Sequence, residues 1–76
     1  MIEEMVEVAC YAGGRYPERP QRVTWRGEEH EVESVESEWQ EPRRRCFLVR
    51  LKGERFLQLY YYERPDRWTA VEVGGE

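Results

Sequence analysis

The chain has 76 residues, 39% of them hydrophobic and 37% charged, and its net charge is −4. This length has room for one small domain, and an aromatic share of 13% argues against disorder, because disordered chains are poor in aromatic residues. No run approaches the ~20 apolar residues that cross a bilayer, and the acidic N-terminus lacks the pattern of a signal peptide, so we expect a cytoplasmic protein.

A period-two alternation of apolar and polar residues runs along most of the chain, which is typical of β-strands. The predicted strands, in chain order, are 5–12, 21–26, 29–39, 45–51, 55–62 and 67–73. Short turns and one loop over 13–20, rich in Gly and Pro, separate them. We therefore expect one all-β domain over residues 1–76, with its core in 5–73. About six antiparallel strands in a meander predict a strongly curved sheet or small barrel without substantial helix.

The third predicted strand changes phase along its length. His30 and Val32 share one parity, whereas Val35 and Trp39 share the other. A regular strand cannot place both sets on the same face, so we expect a bulge or sharp bend near 33–34. Such a bulge lets a sheet curl toward closure.

Eight large apolar residues form the predicted core. Burying one such side chain contributes ~1.5–3 kcal/mol, so together they supply most of the driving force for folding. The two cysteines, Cys10 and Cys46, lie in predicted strands without CxxC spacing, so we expect small apolar side chains, with a disulfide between them as the alternative. The predicted core residues are Trp25, Val32, Trp39, Phe47, Val49, Leu59, Trp68 and Val71.

Charges are segregated by strand. Residues 28–41 contain seven Glu and no Lys or Arg, whereas 13–26 carry a net +3 and 42–55 a net +5. In a meander the acidic strand lies between the two basic ones, which predicts cross-strand ion pairs. An ion-pair network fits a thermophilic source. The preference for Arg over Lys, eleven to one, is compatible with either a GC-rich genome or a thermophilic source.

The alternative interpretation treats the arginines as a binding site. Three consecutive arginines follow Pro42, and further arginines in the first loop and second strand could join them at one end of the barrel. Such a mixture of cations and aromatic rings suits an acidic protein surface or single-stranded nucleic acid, although the net negative charge disfavours nucleic acid. The candidate binding residues are Arg15, Arg19, Arg22, Arg43, Arg44, Arg45 and Tyr61.

Catalytic and metal-binding patterns are missing from the sequence. His30 is the only histidine, and Ser34 and Ser37 are the only serines, so neither a metal cluster nor a Ser-His dyad is predicted. No glycine pair lies in the strand-turn-helix context of a phosphate loop. We expect no catalytic residues, no metal, no cofactor and no enzymatic activity.

One set of positions resembles a known family. The stretch 20–27, Pro-Gln-Arg-Val-Thr-Trp-Arg-Gly, is followed by apolar and aromatic residues at spacings that continue to the end of the chain. This pattern over residues 5 to 73 is similar to a family of small bacterial domains of unknown function, which occur alone or near or fused to Y-family, translesion-type DNA polymerases. His30 departs from the family, which usually has an aromatic residue there. The stretch continues through His30-Glu31-Val32, and the remaining matched positions are Val35, Trp39, Phe47-Leu48-Val49, Gly53, Leu59-Tyr60-Tyr61, Trp68 and Val71.

The resemblance implies a DNA repair or replication setting and no mechanism. The resemblance and the lack of catalytic patterns together favour a non-enzymatic binding or accessory module with a protein partner. The alternative is direct binding of single-stranded nucleic acid. No membrane partner is expected. We also expect a homodimer, because the first and last predicted strands carry few charges and would be exposed edges in an open sheet. A closed barrel would instead pair these two strands and permit a monomer.

Overall fold

The computed structural model describes residues 2–10, 19–64 and 66–73, with only the backbone at Cys10. These residues form six antiparallel strands and no helix, so none of their segments is a helix long and apolar enough to cross a membrane. Each strand pairs with its neighbours in the chain, and the last pairs with the first, which closes a small barrel. The predicted all-β architecture is confirmed. The strands are β1 (Glu4–Cys10), β2 (Pro20–Trp25), β3 (Glu28–Glu41), β4 (Arg44–Leu51), β5 (Arg55–Glu63) and β6 (Asp66–Val73).

Two strands, β1 and β3, change partners at their middles. Residues 4–6 of β1 pair with β6, whereas 7–10 pair with β2. In β3, residues 28–31 pair with β2 and 32–41 pair with β4. The barrel wall therefore turns a corner at each of these strands, and six strands suffice for closure. Closure also leaves neither β1 nor β6 as an open edge, so the edge-strand argument for a homodimer no longer applies.

The corner in β3 is made by two irregularities. The register with β4 shifts between Val32 and Ser34 and again between Val35 and Ser37, so Glu33 and Glu36 are extra residues. The first shift confirms the predicted bulge and keeps Val32 and Val35 on the core side. The second shift was not predicted. It moves the side chains that follow it to the face opposite the one that regular alternation would give them.

The core confirms most of the predicted set and corrects two members. Trp39 lies opposite Cys46, on the outer face, because the second bulge moves it away from the inward position that Glu38 takes opposite Phe47. Val71 also faces outward, since the inward positions of β6 are those of Trp68 and Ala70. The buried cluster consists of Val6, Val23, Trp25, Phe47, Val49, Leu51, Leu57, Leu59, Trp68 and Ala70, with Val8, Val32, Val35 and Tyr61 packed against it.

The two turns at one end of the barrel use left-handed backbone conformations. Arg26 and Gly27 have φ values of 54° and 78°, as a two-residue type I′ hairpin requires. Gly53 and Glu54, with φ values of 97° and 63°, close the turn from β4 to β5. The turn predicted at 27–28 is therefore displaced by one residue, and the turn predicted at 52–53 extends to Glu54.

Cross-strand ion pairs form between β3 and β4, as the charge pattern predicted. Arg44 contacts Glu41, and Arg45 contacts Glu38. The Arg50 Nε atom lies 3.3 Å from a Glu33 carboxylate oxygen. Within the described residues no ion pair links β2 to β3, so the predicted ladder exists on only one side of the acidic strand. Exposed pairs of this kind contribute little each, ~0–1 kcal/mol, and the apolar core dominates stability.

Two leucines on opposite faces of the wall provide a test of this inside–outside assignment. Leu59 is fully buried in the core, whereas Leu48 is half-buried on the outer face. We expect Leu59→Ala to lower the free energy of unfolding by about 2–5 kcal/mol and Leu48→Ala by clearly less, because the outer position leaves no enclosed cavity. Denaturant titration measures both. Equal losses would contradict the assignment.

Candidate binding site: the arginine-lined end of the barrel

Alternation of up and down strands places the connections at two opposite ends. The β3–β4 and β5–β6 turns share one end with the last residue of β1 and the first of β2. The β2–β3 and β4–β5 turns lie at the other end. Because Arg44 of β4 pairs with Tyr62 of β5, the turn at 42–43 lies beside the turn that follows Glu63.

A cleft of about 440 Å³ opens at the first of these ends. Four of the predicted binding residues line it, including all three consecutive arginines, so the structure brings this part of the predicted site together. A carboxylate, that of Glu63, is also part of its wall. The lining residues are Gln40, Pro42, Arg43, Arg44, Arg45, Tyr61 and Glu63.

Strand alternation gives the three arginines different surroundings. Arg43 is exposed in the turn, and no residue of the described chain forms an ion pair or hydrogen bond with its side chain. Arg45 lies on the inward parity, where it contacts Glu38 and sits 5.4 Å from the centre of the Phe47 ring. Arg44 points to the outer face. Among the described residues, the cleft therefore combines the unneutralised guanidinium of Arg43 with two guanidinium groups that already have partners.

Arg44 is the centre of a hydrogen-bond network on the outer face. Its Nε donates to Glu41 Oε1 at 2.8 Å, and its Nη1 donates to the Tyr62 hydroxyl at 2.9 Å and to Glu3 Oε2 at 3.4 Å. The guanidinium carbon lies 3.9 Å above the Tyr60 ring. Burial opposes the charged form, but the hydrogen bonds with Glu41 and Tyr62 outweigh it, and the pKa of Arg44 lies above its ordinary value. These contacts tie β3, β5 and the start of β1 together.

Further donors complete the network around the two carboxylates. The Trp39 indole donates to Glu41 Oε2 at 3.0 Å, and the hydroxyls of Tyr62 and Thr69 each donate to Glu3 Oε1 at 3.0 Å. Hydrogen bonds from Trp39 and from Arg44 hold the pKa of Glu41 below its ordinary value. The sequence analysis missed this network, because its members are spread over β3, β4, β5, β6 and the residue that precedes β1.

Cys46 lies beneath the network and is a free, fully buried thiol. Burial raises its pKa to about 11, so the thiol stays protonated near neutral pH. Its predicted role as a small apolar residue is confirmed, and its free thiol excludes the alternative of a disulfide at Cys46.

Tyr61 borders the cleft with its ring already packed. The ring is half-buried and lies 5.0 Å from that of Trp68, centre to centre, with an interplanar angle of 44°. It also packs against the hydrophobic core. Tyr61 therefore shapes the cleft wall more than it offers a stacking surface.

The remaining predicted binding residues do not line this cleft. Arg19 and Arg22 line a second one of about 560 Å³, where the start of β2 faces residues 31–35 of β3. That cleft also contains Glu31 and Glu33, so its charges are mixed. Arg15 lies outside the described residues.

Metal-binding clusters are not found in the part of the chain that the structure describes: no group of three or more His, Cys, Asp or Glu side chains there is placed to hold an ion. His30 is half-buried, and its ring centre lies 5.6 Å from that of Trp25. The histidine thus packs at the end of the barrel opposite the arginine-lined cleft.

The lowered pKa of Glu41 predicts how stability depends on pH. Because the folded-state pKa lies below the ordinary value of 4.5, the ionised carboxylate stabilises the fold above that value, and this contribution is lost as the pH falls through the folded-state pKa. We expect Glu41→Gln to lower stability at neutral pH and to reduce its decline on acidification. Urea denaturation between neutral and acidic pH measures this, with Glu29→Gln on the exposed side of the same strand as control. Identical pH profiles for the two variants would contradict the role of Glu41.

Comparison with known proteins gives a family and no closer relative. No curated protein matches the chain, and no solved structure matches it. A model of a domain of unknown function, DUF6504, matches residues 1–73. The match covers β1 to β6 and thus the whole barrel. The chain belongs to this DUF6504 family.

Proposed function

We propose that the protein is a non-enzymatic binding module, which holds an acidic segment of a partner protein in the arginine-lined cleft. The single observation that carries the proposal is Arg43. Its guanidinium is exposed beside a cleft of about 440 Å³, and no described residue neutralises it. The neighbouring Arg44 and Arg45 have internal partners that fix the shape of the cleft around it.

The local chemistry favours a carboxylate-bearing ligand. A guanidinium presents a planar set of donors that matches a carboxylate in a bidentate arrangement. The Gln40 amide, by contrast, is directed to the carbonyl oxygens of Glu41 and Arg44 at 3.3 and 3.5 Å, so it supports the turn. Arg43 is then the main contact for an anionic group, because Arg44 and Arg45 already contact Glu41 and Glu38.

A protein segment fits this surface better than single-stranded nucleic acid does. Sequence-tolerant binding of single strands relies on exposed aromatic rings on which bases stack. Every aromatic side chain in the described residues is buried or half-buried, and Tyr61 packs against Trp68. The net charge of −4 also opposes attraction of a polyanion.

The cellular setting that we propose is DNA repair or replication in the bacterial cytoplasm. Its support is the resemblance to small domains found near or fused to Y-family polymerases. In that setting the module would act as an accessory that connects proteins, with no reaction of its own.

A charge reversal at Arg43 tests the proposed function. The probe is a short fluorescein-labelled peptide of alternating Asp and Glu, titrated with the protein and followed by fluorescence anisotropy. We expect measurable binding at low salt that weakens as salt is added, and a loss of about tenfold or more in affinity for Arg43→Glu, because a charged hydrogen bond contributes about 1.5–3 kcal/mol.

Lys52→Glu is the matched control, since it makes the same change of charge in an exposed turn at the opposite end of the barrel. This variant should bind the peptide nearly as well as the wild type. Equal losses for both variants would mean that only net charge matters and would refute the cleft as the site. Tighter binding of a labelled oligo-dT than of the peptide would replace the protein partner with nucleic acid.

A further inference from the structure

The outer face of the barrel differs sharply between its two sides. On β4, β5, β6 and β1 most outward positions are apolar. Cys46, Tyr60 and Thr69 are buried there, whereas the other apolar side chains are half-buried or exposed. On β2 and the first part of β3, the outward positions include Arg22, Glu29 and Glu31. We call the first surface the apolar face; it comprises Met5, Leu48, Phe56, Val71 and Val73, and Ile2 lies at its edge beside Val71.

Its margin carries the most exposed apolar side chains of the described residues. Ile2 is 76% exposed and Met5 is 67% exposed, and they are the only large hydrophobic residues of that part of the chain in the exposed class. Ile2 also lines a shallow depression with Val71, whose other walls are Glu4, Arg26 and Glu72, and Arg26 pairs with both carboxylates. Single exposed apolar residues are ordinary on protein surfaces, but a patch continuous across several strands is typical of an interaction site.

Most charges on and beside the apolar face are paired within the molecule. The exposed Arg67 and Glu7 form no ion pair with a described residue, but their charges are opposite in sign. Arg50 lies next to Glu33, and Arg44 contacts both Glu41 and Glu3. This face is therefore close to neutral in a chain whose net charge is −4. A second copy of the same acidic chain is repelled least where the surface is neutral, whereas a strongly charged partner gains nothing there.

We infer that the apolar face is the contact surface of a homodimer with two-fold symmetry. An isologous contact requires a surface that is complementary to itself, and an uncharged apolar patch meets this requirement. The Cα atoms extend over 33 × 26 × 23 Å, so a contact that buries the usual ~800 Å² per partner covers most of the broad side. The arginine-lined cleft is not part of the patch, so the dimer is independent of the proposed function.

Light scattering coupled to size-exclusion chromatography tests the dimer directly. For the wild type we expect twice the 9.3 kDa of one chain at high protein concentration, and a lower mass on dilution. Met5→Glu and Met5→Arg should both give 9.3 kDa at the same concentration, because either charge would be buried at the contact. A wild-type mass of 9.3 kDa at every concentration would overturn the inference.

Ala9→Glu is the matched control. It lies on the same strand and the same outward side as Met5, but in the half of β1 that pairs with β2, away from the apolar face. This variant should remain dimeric. A dimer that survives both Met5 substitutions, or that Ala9→Glu disrupts equally, would place the contact elsewhere. Far-ultraviolet circular dichroism confirms that each variant is folded.

Discussion

The path of β3 is the constraint on which the rest of the structure depends. This one strand must pair with β2 at its start and with β4 over the remainder, and two extra residues let it turn the corner. The bulge at Glu33 keeps Val32 and Val35 against the core. The bulge at Glu36 then moves Trp39 to the outside. Closure of a six-stranded barrel and the division between core and outer face both follow from this geometry.

The same division creates the candidate site. With Trp39 outside, Glu41 accepts hydrogen bonds from both its indole and Arg44, and the arginine in turn reaches Glu3 at the start of β1. The network lies on the outer side of the barrel wall. Its carboxylates, those of Glu41 and Glu3, form ion pairs with Arg44. Ion pairs between partly exposed side chains add modestly to stability. The larger effect of these contacts is to hold the side chains of the network in place. They fix the wall of the cleft beside which Arg43 presents a charge that no described residue neutralises.

Sequence patterns predicted the fold well, because alternation and turn chemistry are local. The phase change between Val32 and Val35 signalled the first bulge. The second bulge has no comparable signal in the sequence. The acidic residue Glu38 takes the inward position after it, whereas the aromatic Trp39 is the residue expected in the core. Val71 was wrongly predicted to lie in the core, because the small residue Ala70 occupies the neighbouring inward position. Hydrogen bonds between Arg44 and Glu3 join residues from distant parts of the chain, and no local pattern encodes them.

The side on which Trp39 lies tests the double-bulge geometry most directly. Nuclear Overhauser effects from its indole protons can be measured in isotopically labelled protein. The geometry predicts contacts with Cys46, its cross-strand partner on the outer face. Contacts with the buried methyl groups of Val49 and Leu59 would instead place Trp39 in the core, and would contradict the second bulge and the outer network built on it.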